Sequence, residues 1–335
     1  MLPPADASLL GRVFDQYQNM MQVARCVREI ARQRGLARPR LLELSRRDTG
    51  LADFAPECEV VRYPTHQDNQ PTLAHPVALP FADQAFDACL VTDAYEHIAP
   101  EQRPELLREM VRVTRGVVLL ACPMETEIVT RFDKLVFDFI WGKYAERYEP
   151  LDQHIEFGLE PLADVMASLT RSGAERVIAL PDNYIYRWIH QILIYFDLQH
   201  RQPHADVYAA LNAVYNERLA PGDYREPCYR YLIVGATAPG LDLDEFAAAL
   251  QGRPETPAAV AAAEGALIEA FHTVQGREAD RLRATAAEVD RLRVELRQTR
   301  LDYAALEASI NTGRAWALVN FLRAVRRRLG LARPR

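Results

Sequence analysis

The sequence lacks three things that would narrow its function at once. It has no C-x-x-C pair among its five cysteines, no apolar run long enough to span a bilayer, and no acidic residue after Glu307. The first absence removes the common thiol redox and structural zinc motifs, and leaves Cys26, Cys58, Cys89, Cys122 and Cys228 as reduced, buried thiols in a cytoplasmic setting. The second excludes a membrane-spanning helix. The first residues, MLPPADASLL, carry neither a basic segment nor a long apolar core, so no signal peptide is expected. The third absence concentrates Arg314, Arg323, Arg326, Arg327, Arg328, Arg333 and Arg335 in a chain whose net charge is -6. A general nucleic-acid binder would be basic overall, so no nucleic-acid partner is expected. The eight histidines are dispersed and the cysteines unpaired, so no metal site is expected either. No Ser-His-Asp arrangement is indicated.

What is present alternates. Residues 8–35 carry Val13, Tyr17, Met20, Met21, Val23, Val27 and Ile30 at helical spacing and end on Gly35, which suits a helix C-cap. Apolar runs at 41–44, in CEVVRYP, in FDACLVTDA and in GVVLLACP read as strands, with PEQRPELLREMVRVT as a helix between the last two. The segment THQDNQPTLAHPVALP reads as loop. This rhythm predicts an α/β domain with a Rossmann-like, mostly parallel sheet covered by helices on both faces. PLADVMASLTRSG adds a helix; AERVIALP and YRYLIVGATA add strands. Two aromatic segments, 131–148 and 182–199, read as helices that either pack a second core layer or wall a ligand at the strand ends.

The first domain therefore covers residues 1–238, followed by an Ala- and Pro-rich linker with short helical pieces at 239–260. A coiled-coil helix at 261–312 comes next, in which Leu282, Val289, Leu296, Tyr303 and Ile310 recur every seventh residue, with Thr285, Leu292, Thr299 and Leu306 three later. That pattern, weakened by threonines in the seam, reads as a homodimer through a parallel coiled coil or as a single solvated helix packed on the domain. The tail, 313–335, sets Trp316, Val319, Phe321, Leu322, Val325 and Leu329 against arginines, a pattern suited to a peripheral position on an anionic membrane face or to docking on a protein.

Between residues 78 and 123 the motifs Leu79-Pro80-Phe81, Phe86-Asp87, Tyr95-Glu96-His97 and Leu107-Arg108-Glu109 with Arg112-Val113 stand in register. This segment resembles the class I S-adenosylmethionine-dependent methyltransferases of type 11. LDQHIEFGLEPL and LPDNYIYRW resemble segments of methyltransferases found with surface-polysaccharide glycosyltransferases. The resemblance covers residues 10–238. It implies S-adenosyl-L-methionine as cofactor and a glycan or other cell-envelope intermediate as substrate. The alternative it leaves is a catalytically inactive pseudo-methyltransferase serving as a scaffold or binding module.

In that family the cofactor is gripped by a glycine-rich loop after strand one, an acid at the end of strand two and an acid before the Leu-Pro-Phe motif. The equivalent loop here is Ser45-Arg46-Arg47-Asp48-Thr49-Gly50, a degenerate version with a single glycine. Tyr63 or Pro64 stands at the strand-two position, with Asp68 beyond it, and His75 precedes Leu79. Glu43 is retained. The cofactor-binding residues implied are thus Glu43, Ser45, Asp48, Gly50, Tyr63, Asp68, His75 and Leu79. Arg46 and Arg47 also suit an anionic ligand such as a nucleotide-sugar. His97 is the candidate general base and Asp93 the candidate acceptor-positioning acid. Glu96 reads as structural, and His154 as a residue either in reach of the cleft or on a surface loop.

Overall fold

The computed structural model describes residues 8–67, 70–71, 77–198 and 204–329. The chain divides into two units, Met1–Phe271 and His272–Arg335.

The first unit opens with α1 (Phe14–Arg34), which ends where Gly35 takes φ 65°, the left-handed cap its missing side chain permits. There follow β1 (Arg40–Ser45), α2 (Leu51–Phe54), β2 (Glu59–Pro64) and a two-residue hairpin of β3 (His66–Gln67) and β4 (Gln70–Pro71), the last within a stretch expected to be loop. Then come β5 (Phe86–Thr92), a one-turn helix at Tyr95–His97, α3 (Arg103–Val113) and β6 (Thr114–Pro123). After α4 (Glu127–Tyr144), α5 (Glu149–Phe157) and α6 (Leu162–Arg171), the chain forms β7 (Arg176–Tyr184), α7 (Ile185–Leu198), α8 (Ala205–Arg218), β8 (Cys228–Ala236) and α9 (Leu243–Leu250).

Six strands form one sheet in the order β2-β1-β5-β6-β8-β7. The β1/β2, β1/β5 and β5/β6 pairs are parallel, while β8 runs antiparallel between β6 and β7. Alternation along the strands divides the core. Leu41, Leu90, Leu119, Leu232 and Val234 face α1, α4, α7 and α9, while Leu42, Leu44, Val91, Leu120 and Ile233 face α3 and α6. This is a Rossmann-like, mostly parallel sheet with helices on both faces. Every residue of β5 is buried, as expected of a central parallel strand.

The motifs of 78–123 do structural work. Glu109 accepts from the backbone N–H of Leu79 at 2.8 Å, while Arg112 donates to the carbonyls of Leu79 (3.0 Å) and Phe81 (2.8 Å) and to Asp83 (2.7 Å). The acid and base of α3 thus fasten the Leu-Pro-Phe segment, whose Phe81 ring meets Phe86 edge-on at 5.0 Å. Asp87 accepts from the Arg40 backbone N–H (2.9 Å) and from Arg115 (2.8 Å), joining the starts of β1, β5 and β6. At Gly116 a Cβ would sit 2.2 Å from the Asp87 carbonyl oxygen, so no other residue fits there.

Residues 239–260, expected to be linker, hold α9, whose Leu243, Phe246 and Leu250 are buried in the core beside α1. Its Asp242 caps the helix by accepting from the N–H groups of Asp244 and Glu245.

A long helix, α10 (Pro257–Thr312), carries the heptad positions, and Leu282, Val289, Leu292, Leu296, Tyr303, Leu306 and Ile310 are exposed on it. Gly313 breaks the helix, and α11 (Arg314–Arg328) follows with Leu318, Val319, Phe321 and Leu322 exposed. Among the described residues no helix is long and apolar enough to cross a membrane.

Candidate active site

In the sheet order β1 lies between β2 and β5, and the chain leaves β1 toward β2 but returns across to β5. Such a reversal opens a crevice beyond the carboxyl ends of the two central strands. The cavity found there has a volume of about 430 Å³, within the range of small-ligand sites. It is walled on one side by Ser45–Thr49 and Gln16, and on the other by Tyr148, Trp188, Tyr195 and Phe196, with Asp93, Glu96, His97 and His154 between.

The β1 loop is held by its own side chains. The Thr49 hydroxyl donates to the buried Glu43 carboxylate, and Glu43 is raised in pKa by burial, with the Thr49 bond working against that rise. Ser45 Oγ donates to the Arg47 carbonyl at 2.8 Å, and Asp48 Oδ1 accepts from the Gly50 N–H at 2.9 Å. Gly50 sits at φ 71°, which lets the loop turn into α2. Arg46 is drawn onto Glu149 (2.9 Å) and Gln153 (3.3 Å) of α5, so its guanidinium ties the loop to the opposite wall and leaves the cavity open. Gln16 donates to the Thr49 carbonyl at 2.5 Å.

At the end of β5, Asp93 adopts φ 44°, an uncommon conformation for a residue with a side chain, and pairs with Arg230 at 3.1 Å. Arg230 also binds Asp15 at 2.9 Å. Burial lifts the Asp93 carboxyl above its ordinary range, ahead of the opposing attraction of Arg230.

Glu96 and His97 follow on the one-turn helix, both buried. Their placement depends on Arg103. This buried guanidinium donates to the carbonyls of Ile98 (2.9 Å), Glu96 (3.2 Å) and Gly158 (3.1 Å) and pairs with Glu160 at 2.9 Å. It thereby ties the turn bearing Glu96 and His97 to the end of α5, which carries His154. The two imidazoles stack with centroids 5.3 Å apart. His154 Nδ1 lies 2.9 Å from Asp133 Oδ2, and Asp133 Oδ1 accepts from the Tyr229 hydroxyl at 2.9 Å. Tyr229 in turn stacks on Trp188 at 3.5 Å. Burial pulls the His154 pKa down, but its bond to Asp133 and the nearby carboxylates outweigh that and the net shift is upward. Glu96 is pushed up to about 7, first by burial and then by Asp93.

Of the residues singled out in the sequence, Ser45, Arg46, Arg47, Asp48, Asp93 and His97 line the cavity, as do Glu96, read as structural, and His154, read as either in reach of the cleft or on a surface loop. Glu43 and Gly50 lie behind it, shaping the loop. Tyr63 packs its ring edge-on against Phe81 at 5.9 Å, and Leu79 is a buried anchor for α3; neither lines the cavity. Asp68 and His75 lie outside the described residues. Both aromatic segments supply wall residues, Val136 from α4 and Trp188, Ile192, Tyr195 and Phe196 from α7. The expectation of no metal-ligand cluster is corrected: ligand atoms of Glu96, His97 and His154 lie within 4.8 Å of one another. Residues far apart in sequence meet because α5 folds back over the end of β5.

Asp15, Asp133, Tyr229 and Arg230 were not read as functional from the sequence. Asp133 did leave a signal, since it falls on the apolar stripe of α4 formed by Val129, Phe132, Val136 and Ile140. Arg230 left another, as a charge within the apolar β8.

The fold and this crevice define a class: an α/β protein with an open cavity at the strand switch point. Residues 39–122 match the type 11 methyltransferase-domain family, so this portion of the chain, with the strand order around it, supports a class I methyltransferase. A search of curated proteins returned no match. Solved structures similar to the chain include a SAM-dependent methyltransferase from Archaeoglobus fulgidus (13% identity, 65% of this chain and 94% of that one, TM-score 0.36). Another is a SAM-dependent methyltransferase from Thermotoga maritima (13% identity, 69% and 99%, TM-score 0.31). A third is phosphoethanolamine N-methyltransferase 2 from Haemonchus contortus, in complex with phosphomonomethylethanolamine and S-adenosylhomocysteine (12% identity, 64% and 52%, TM-score 0.32).

Proposed function

We propose that the chain is an S-adenosylmethionine-dependent methyltransferase acting on an oxygen nucleophile of a glycan or other cell-envelope intermediate. The observation that carries this reading is an open crevice at the ends of β1 and β5, the strands that lie within the methyltransferase-domain match.

The residues present fit the cofactor. The cavity has room, the β1 loop is pinned open by Arg46–Glu149, and the carboxylates of Asp15 and Asp93 suit a cationic sulfonium nearby. Ser45, Asp48 and the backbone of the loop would hold the cofactor, which when bound supplies an electrophilic methyl group. The aromatic wall of Tyr148, Trp188, Tyr195 and Phe196, facing carboxylates, gives an acceptor both flat apolar contact and hydrogen-bond partners, as a saccharide requires.

Methyl transfer to a hydroxyl forms an O–C bond as the C–S bond breaks, and the hydroxyl proton must leave. Asp93 takes that proton: its carboxylate is held at the cavity by a strained backbone and by Arg230. Closing the aromatic wall over the acceptor excludes water and orients the hydroxyl in line. Replacing Asp93 by Asn should lower turnover about 10²- to 10⁴-fold, measured as S-adenosylhomocysteine released per acceptor methylated. Cofactor affinity unchanged alongside that loss supports the assignment; an unaltered turnover contradicts it.

Two associations complete the proposal. The exposed heptad positions of α10 pair with those of a second copy, and α11 lies on an anionic membrane face with Phe321 and Leu322 toward the lipid. Sedimentation of the chain with Leu292 and Leu296 both changed to Asp should show monomers where the unaltered chain shows dimers. Cosedimentation with anionic vesicles should fall when residues 314–335 are removed.

A further inference from the structure

Three side chains that no methyl transfer to a simple hydroxyl requires converge at the floor of the crevice. Glu96, His97 and His154 bring one donor atom each into a common space, all within 4.8 Å, and His97 Nε2 lies 3.7 Å from Glu96 Oε1. Two further observations point to a ligand for them. Glu96 is only 4% exposed, yet its Oε2 has no hydrogen-bond partner. Arg103, the nearest buried cation on its own segment, reaches the Glu96 carbonyl and not its carboxylate. Leaving a carboxylate oxygen dry and unpaired is costly unless a cation joins it. His154, in turn, is oriented from behind: Asp133 holds Nδ1 at 2.9 Å, which leaves Nε2 facing the cluster, and the Tyr229 hydroxyl holds Asp133. A carboxylate behind an imidazole is the usual support of a metal-ligating histidine, fixing its tautomer and raising its basicity.

We propose that Glu96, His97 and His154 form a binding site for a divalent transition-metal ion, such as Zn²⁺, Mn²⁺ or Co²⁺, with an open coordination position toward the cavity. Two imidazoles and one carboxylate form a donor set that these borderline ions favour over Mg²⁺ or Ca²⁺, which select oxygen. Three protein ligands leave a position for a substrate oxygen. The ion orients that oxygen and makes its proton easier to remove, while Asp93, three residues earlier, stays free to receive it. Only this last point rests on the methyltransferase reading; the site itself is read from the ligands. His97 is then a ligand, and the acceptor's proton does not pass to it.

The test uses the full chain, stripped with a chelator and titrated with CoCl₂ by absorption and ZnCl₂ by calorimetry, without cofactor or acceptor. One equivalent should bind, with cobalt ligand-field bands from imidazole coordination. Glu96→Gln and His154→Ala should each weaken binding at least tenfold, and Asp133→Asn about 10- to 100-fold. Melting curves on the variants separate lost ligands from lost folding, and Glu96→Gln keeps the shape of the site. Absence of saturable binding, or equal affinity in folded Glu96→Gln and His154→Ala, overturns the proposal and leaves the cluster a proton-bridged one. S-adenosylhomocysteine binding, titrated separately, reports on the methyltransferase reading alone.

Discussion

The two sides of the crevice are built on opposite rules. On the β1 side every polar group of the loop named here is answered locally: Glu43 by Thr49, Asp48 by the Gly50 N–H, Ser45 by the Arg47 carbonyl, Arg46 by Glu149. On the floor, Glu96 Oε2 is buried without a partner, Asp93 has a strained backbone, and two imidazoles share one space. The loop carries side chains where glycine would carry none, and internal hydrogen bonds fix Ser45, Asp48 and Thr49 at the cavity edge. The floor holds groups that folding alone would not bring together, which is the mark of a site awaiting a ligand.

The strut Arg103 offers the largest way to break this contrast. Changing it to Met leaves Glu160 and the carbonyls of Glu96, Ile98 and Gly158 without their donor, and removing one partner of a buried pair costs about 3–5 kcal/mol. Denaturant melts should show that loss, and His97 should lose its stacking on His154. Loss of stability with an intact floor would mean the turn is held by other contacts.

A change of Gly116 to Ala tests the scaffold behind both sides. With a Cβ placed 2.2 Å from the Asp87 carbonyl, β6 must move against β5. A destabilisation above about 2 kcal/mol is expected, in the overpacking range, read from thermal or denaturant melts.

On the loop side, Thr49→Val removes a hydroxyl that donates to Glu43. The buried carboxylate left behind should cost about 1–3 kcal/mol, and cofactor affinity should fall as the loop loosens. By contrast, Thr237→Val removes a hydroxyl that donates to the Thr114 and Gly116 carbonyls at the start of β6, outside the cavity lining, and should leave cofactor affinity unchanged.

A last effect, away from the crevice loop, concerns pH. Asp182 on β7 is raised to about 8 by burial, beyond what the opposing charge of Arg230 offsets. Its folded pKa lies above its unfolded value, so its contribution is fully present below about pH 4 and declines as pH rises to about 8. Asp182→Asn should therefore flatten the stability profile between those limits, with its advantage greatest at the alkaline end. A profile parallel to that of the unaltered chain would show that Asp182 ionises in both states alike.

Much of the fold was legible in the sequence because it rests on local patterns. Apolar runs marked β1, β5 and β6, helical spacing marked α1 and Gly35 its end, and the register of Leu79-Pro80-Phe81 with Glu109 and Arg112 marked the segment that α3 clamps. Less was legible where the chain inserts a late strand, as β8 does between β6 and β7. The site was half visible. Ser45, Asp48, Asp93 and His97 follow strand ends, where sequence position fixes spatial position. His154 was legible as a residue in reach of the cleft or on a surface loop, whereas Asp133 and Tyr229, from α4 and β8, come beside it only through the packing of those elements.

The most direct test is isothermal calorimetry of the purified chain with S-adenosylhomocysteine, repeated with Arg46→Glu, which repels Glu149 and should swing the loop. The account predicts saturable one-to-one binding to the unaltered chain and at least tenfold weaker binding to Arg46→Glu. No binding at millimolar ligand would contradict it, because the crevice at the ends of β1 and β5 would then hold something other than an adenosyl cofactor.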